Sequence, residues 1–351
     1  MTATRFKALL LVLLICLLAG MLLAIGSPDV LSAGMTALSA TSPEGSAAAQ
    51  SNAETSEPAA ATEQATEAAA TTAAASHSAP AATATDEEDP WFSAIETVYI
   101  SPDKDHWDYT SPTLGIEIKK VFQTDPVKLV YYTAEVRMKD GAALAPCFAG
   151  DDTSGKTRST AEEIATASKA VLAVTSDGLT GNRYRKGTVI RNGKLVLEKA
   201  AADTLAVLPD GGLSILSPAD AGSERLLALG VQNTYSYGPA LIRDGALNEE
   251  VSCHRLAPRS ARAGIGMIEP GHWVIIVVDG GNKQISAGAM LTEFTALFRK
   301  FRCKQAYNLE GGSAAAICFM GEQLNGLPGQ KKARMADVIG IGRSELVGQG
   351  Q

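Results

Sequence analysis

The sequence is short of the residues that most often announce an enzyme. Its 351 residues include four His, and aromatic residues make up 5% of the chain. His77 falls in a tract without folding potential, His106 in a stretch that reads as a loop, and His254 and His272 read as structural, which disfavours a histidine-based triad. No P-loop, GxSxG, HExxH or strand-framed GxGxxG occurs, so the nucleotide, serine-hydrolase and zincin signatures are absent. The five Cys form no CxxC pair, and Cys253-His254 has no second pair near it, so the pattern of a structural zinc site is missing. Cys147, Cys253, Cys303 and Cys318 are left as either disulfide partners or free thiols. There is no basic face either: the formal net charge is −7, which argues against a nucleic-acid partner.

That charge is confined to one tract. Residues 41–89 carry nine acids, no Lys or Arg, and no Val, Ile, Leu, Met, Phe, Tyr or Trp. Such a chain cannot bury enough apolar area to offset the entropy of ordering, and it reads as a solvated tether. Residues 90–351 hold 28 acids and 29 bases and are nearly neutral. Before the tether, Arg5 and Lys7 precede an apolar run of about 18 residues, Ala8 to Ile25, the lower limit for a membrane-spanning helix. The positive flank orients the N-terminus to the cytoplasm. Two readings stand, an uncleaved signal anchor and a signal peptide cleaved near Ala24-Ile25-Gly26, and the length favours the anchor. The expected organisation is a cytoplasmic tip and anchor (1–26), a linker (27–89) and one domain (90–351). It predicts a single-pass membrane protein with its domain outside the cytoplasm, or a secreted one if cleaved.

In 90–351 short β-rich runs alternate with glycine turns. Lys128 to Val136 alternates as a strand. Lys186 to Leu197 reads as a hairpin around Asn192-Gly193, and residues 206–216 and 240–245 repeat the logic. Trp273 to Val278 is a continuous apolar run, a strand buried on both sides. Met290, Leu291, Phe294, Leu297, Phe298 and Phe301 form one face of a helix over 289–302, and 160–168 is a second helix. The fold class is therefore α+β, with mixed β-sheets and few helices.

Chemistry is left to acids at strand ends. Asp279-Gly280-Gly281 follows the buried strand, Asn308-Leu309-Glu310-Gly311-Gly312 follows Gln305 to Tyr307, and Asp177-Gly178 follows Ala170 to Val174. Glycine after such an acid lets a substrate approach the backbone closely, and paired carboxylates suit glycoside cleavage. The competing reading of each is an acid that caps a turn.

Residues 167–343 resemble the phosphodiester glycosidase family through an ordered series of motifs. These are Val189 to Gly193, Ser236-Tyr237-Gly238-Pro239, Arg262-Ala263-Gly264-Ile265-Gly266, Trp273 to Gly280 and Asn308-Leu309-Glu310-Gly311-Gly312. The resemblance implies an α+β domain that hydrolyses a sugar-1-phosphodiester. It implies that Arg262 holds phosphate, that Asp279 and Glu310 are the acidic pair, that Asp177 assists or binds a cation, and that Gly238, Asn308, Gly311 and Gly312 position substrate. No cofactor or resident metal is expected beyond such a cation. The expected substrate is a glycosyl phosphate or polysaccharide of the envelope. Several polar positions depart from the family pattern: the signature Asp is Glu310, Asp-Gly-Arg is Asp279-Gly280-Gly281, and the tail is Ser313-Ala314-Ala315. A catalytically degenerate glycan- or phosphopolymer-binding module is therefore the alternative.

Overall fold

The structure, a computed structural model, describes residues 89–139, 144–179 and 186–349. The apolar run 8–25 and the tract 41–88 lie outside the described residues. Among those described, no helix is long and apolar enough to cross a membrane.

The domain opens with a meander of β1 (Thr97–Ile100), β2 (His106–Thr110), β3 (Leu114–Gln123) and β4 (Leu129–Met138). His106 thus begins a strand; the loop expected there is corrected, because Trp107 and Tyr109 alternate into the core and draw their neighbours into the ladder. Next come β5 (Leu144–Phe148), β6 (Ser159–Thr160), helix α1 (Ala161–Ala167) and β7 (Ala170–Thr175). Thr160 and Glu163 form a capping box that starts α1. The expected hairpin is β8 (Val189–Arg191) and β9 (Lys194–Leu197). Asn192 and Gly193 both take positive φ, 50° and 70°, as a type I′ turn requires.

A second hairpin, β10 (Thr204–Val207) and β11 (Leu213–Leu216), is followed by helix α2 (Ser223–Ala228), which the sequence did not signal, and β12 (Asn233–Tyr235). Then follow β13 (Ala240–Arg243), β14 (Ala246–Leu247), β15 (Arg262–Glu269), β16 (His272–Val278), helix α3 (Leu291–Lys300) and β17 (Gln305–Asn308). The chain closes with β18 (Ile317–Phe319), β19 (Glu322–Gln323), β20 (Arg334–Met335) and β21 (Asp337–Arg343).

Two sheets carry the architecture. One has nine strands in the order β1-β2-β3-β4-β16-β15-β17-β13-β14, the other five in the order β19-β18-β7-β21-β5. Every pairing within them is antiparallel, so the α+β class with few helices holds and the sheets are antiparallel where mixed ones were expected. One face of the large sheet, with Ile118, Val136, Ile265 and Trp273, shares a core with Leu172, Phe319 and Ile339 of the smaller sheet. On the opposite face Val274, Ile276 and Val278 pack beneath Leu291, Phe294 and Phe298 of α3. The glycines of β15 let that helix sit close: a Cβ on Gly264 would lie 2.9 Å from the Phe294 ring, and one on Gly266 2.8 Å from Phe298. Cys147, Cys253, Cys303 and Cys318 are free thiols.

Candidate active site

Because β15 runs antiparallel to both neighbours, its first residues lie beside the last residues of β16 and β17. Arg262 pairs with Val278 and Gly264 with Asn308. Arg262, Asp279, Asn308 and Glu310 therefore gather at one end of the central strands β15, β16 and β17. The glycines after the acids have a local cause: a Cβ on Gly280 would lie 2.5 Å from the Ala261 nitrogen, and one on Gly311 2.7 Å from the Ala261 oxygen. Gly312, at φ +64°, donates its N–H to that same oxygen at 2.9 Å.

Strand alternation then separates the side chains. Asp279 continues the parity of Ile275 and Val277 and points between the sheets. Its Oδ1 accepts the Gly326 N–H at 3.0 Å and Asn325 Nδ2 at 3.2 Å. Burial pushes its pKa up against these bonds. Arg262 has the opposite parity and turns beneath α3, where it donates to the carbonyls of Ala289, Leu256 and Pro258. It has no carboxylate partner among the described residues, and its Nη1 makes no hydrogen bond among them. Burial lowers its pKa while Tyr237 acts the other way.

Asn308 is buried, donates Nδ2 to the Gly238 carbonyl at 2.8 Å and leaves Oδ1 without a partner. It thereby holds Gly238, at φ +69°, over the Tyr307 hydroxyl.

Asp177 and Glu310 meet at Gly178 and differ in every respect. Asp177 is fully buried. It accepts Arg191 Nη2 at 2.6 Å, the Ser236 N–H at 2.7 Å and the Leu179 N–H at 3.0 Å, with Lys186 Nζ 3.5 Å away. Arg191 also binds Asp337 at 3.1 Å and stacks over Tyr235 at 4.2 Å. Burial alone would raise the Asp177 pKa, but Arg191, Lys186 and the two N–H groups hold it below the ordinary carboxylate value. Both of its oxygens are thus taken by protein groups.

The Glu310 carboxylate accepts no hydrogen bond among the described residues, while its backbone N–H is tied to the Ser176 carbonyl at 2.9 Å. It rests on Gly178, where a Cβ would lie 2.7 Å from Oε2, and Gly178 sits at φ +70°. Burial raises its pKa, Lys186 opposes this, and the charges of Asp177 and Asp337 add to the rise.

Glu310 in turn borders Tyr237. Burial lifts the Tyr237 pKa first and the Glu310 charge adds to it, while Arg255, Arg262 and the Gly311 N–H oppose it. Tyr237 opens onto a cavity of about 460 Å³ lined also by Gly238, Pro239, His254, Arg255 and Asp203. Burial and then Arg255 lower the His254 pKa. The structure therefore brings Glu310, Gly238, Gly311 and Arg262 into one neighbourhood around Tyr237, and turns Asp279 and Asp177 away from the cavity. Tyr237, Arg255, Lys186 and Asn325 were not singled out from sequence. Only Tyr237 carried a signal, as a member of the Ser236-to-Pro239 motif.

Glycine-rich strand ends, a carboxyl without a hydrogen bond among the described residues and a nearby polar cleft thus come together in this domain. A family model described as phosphodiester glycosidase matches residues 167–342, half of the chain, and the chain belongs to that family. Among solved structures, it is similar to the catalytic domain of zebrafish N-acetylglucosamine-1-phosphodiester alpha-N-acetylglucosaminidase auto-inhibited by its pro-peptide. The TM-score is 0.54 with 19% identity, over 71% of this chain and 88% of that one. A hypothetical protein from Synechocystis superposes with a TM-score of 0.53 and 14% identity, over 70% of this chain and 68% of that one. Among curated proteins, the SPbeta prophage-derived uncharacterized protein YomE of Bacillus subtilis (strain 168) is 24% identical over 191 residues. That match spans 52% of this chain and 30% of YomE.

Proposed function

We propose that the domain hydrolyses glycosyl-1-phosphodiesters of an envelope polymer or exopolysaccharide, outside the cytoplasm and tethered through residues 27–89 to an N-terminal anchor. The observation that carries this reading is the Glu310 carboxyl: half-buried, without a hydrogen bond among the described residues, raised in pKa and next to Tyr237, which lines a polar cleft. A general acid–base needs an open position and a pKa near working pH, and Glu310 has the first and is shifted toward the second. A phosphate bound between Tyr237 and Arg255 also lies within the field of the buried Arg262 guanidinium, which acts on Tyr237 and His254. A guanidinium fork suits that anion. Water then attacks the anomeric carbon as its bond to the bridging oxygen breaks; Glu310 gives its proton to that oxygen and regains one from the water, and sugar and phosphomonoester leave. Asp279 fixes the Asn325-Gly326 segment, and Asp177 fixes the turn on which Glu310 rests. Neither role requires a cation.

The binding-module reading is favoured by one observation: Arg262 already serves three carbonyls and Asp279 two donors. The deciding experiment incubates the purified full chain with a panel of sugar-1-phosphodiesters and assays free sugar and phosphomonoester. Release of both in equal amounts supports hydrolysis; saturable binding without turnover supports the module. Asp279→Ala, which removes the acceptor of both bonds, is expected to impair activity through lost order at Asn325, with the unfolding midpoint lowered in parallel.

A further inference from the structure

The meander β1–β4 precedes the family-matched segment, and its outer face carries a charge pattern that the site above does not use. Trp107, Tyr109, Ile116 and Ile118 point into the core. By alternation His106, Asp108, Glu117 and Lys119 point outward. The register sets Asp108 opposite Glu117 and Glu117 opposite Glu135. Three carboxylates in one row across adjacent strands repel each other. Glu135 is relieved by His272 at 2.7 Å. Asp108 and Glu117 share one imidazole instead: His106 Nε2 lies 3.0 Å from Asp108 Oδ1 and 3.4 Å from Glu117 Oε1.

Those spacings fit a metal polyhedron. Zinc–ligand bonds of about 2.0–2.1 Å in tetrahedral geometry place neighbouring ligand atoms about 3.3 Å apart. The donor atoms of His106, Asp108 and Glu117 all lie within 4.8 Å of one another, and all three residues are half-buried, so an ion can reach them from solvent. One imidazole and two carboxylates is a borderline donor set that suits zinc-class divalent ions better than magnesium. Lys119 Nζ, 2.7 Å from Glu117 Oε1, shows where a positive charge is called for. The Tyr99 ring meets the His106 ring edge-on at 6.1 Å between centroids and limits its rotation.

We propose that His106, Asp108 and Glu117 bind one zinc-class divalent ion, with water completing the shell, and that the ion staples β2 to β3. The site is independent of the hydrolytic reading. It is tested by calorimetric titration of the untagged full chain with Zn²⁺ alone, together with thermal melts. The expected result is uptake of one ion per chain and a higher melting temperature. His106→Ala and Glu117→Gln should each weaken binding by at least about tenfold and abolish the thermal gain. Lys119→Ala, which removes the competing cation, should leave binding equal or tighter. Cys253→Ser, at the exposed Cys253-His254 pair, should change nothing. Absence of saturable uptake, uptake indifferent to His106→Ala, or uptake lost in Cys253→Ser would each overturn the proposal and leave the cluster as a self-contained ion-pair network.

Discussion

Asp177 and Glu310 are both acids that follow a buried strand and precede glycine, and both touch Gly178, yet the fold treats them oppositely. Around Asp177 it assembles two cations and two backbone N–H groups. Around the Glu310 carboxyl no hydrogen-bond donor stands among the described residues. A buried charge must be paired or it neutralises. The caged acid is thereby held ionised and structural, and Glu310 is left with a raised pKa. Position at a strand end therefore does not show which acid is an anchor; its hydrogen-bond partners do.

This contrast can be broken first at the cage. Asp177→Ala leaves Arg191 and Lys186 buried with a partner removed, and should cost about 3–5 kcal/mol. Urea unfolding measures it, and a cost under about 1 kcal/mol would mean that the cage contributes little. Gly264→Val, a control at the same end of β15, should cost about 1–3 kcal/mol by forcing Phe294 and α3 outward, read in the same experiment. Gly178→Ala is subtler. It strains the +70° backbone and pushes Glu310, so turnover should fall further than the stability loss of about 1–3 kcal/mol explains. Equal turnover would show that Gly178 does not seat Glu310.

The smallest effect is in pH dependence, and the two acids have opposite signs. The Asp177 pKa is depressed by folding, so its stabilisation is present above the ordinary carboxylate value and is lost as pH falls through the depressed one. The Glu310 pKa is raised by folding, so its contribution is full below the ordinary value and is lost as pH rises through the raised one. Unfolding midpoints between about pH 3 and pH 7 should therefore flatten on the acid side in Asp177→Asn and on the neutral side in Glu310→Gln.

Local patterns were legible in the sequence. The Asn192-Gly193 turn, the apolar run of β16 and the periodic face of α3 each depend on neighbours within a few residues. What was hidden depends on partners far along the chain. The cage on Asp177 draws on Arg191, Ser236 and, through Arg191, Asp337. The direction of Asp279 was unreadable because β16 is buried on both faces, so no polar alternation marks which side each residue takes. His106 lies in a strand that the sequence did not signal, so the pairing of Asp108 with Glu117 on the outer face of the meander was hidden, although Lys128 to Val136, two strands further on, was legible as a strand.

The central claim is that Glu310 supplies the acid–base function and Asp177 does not touch substrate. It is tested most directly by kcat/KM for a sugar-1-phosphodiester measured on Glu310→Gln beside the wild type, each with its unfolding curve. The account predicts a loss of roughly 10²–10⁴-fold with an unchanged or slightly raised unfolding midpoint at neutral pH. Glu310→Gln turnover within about twofold of an active wild type would contradict it.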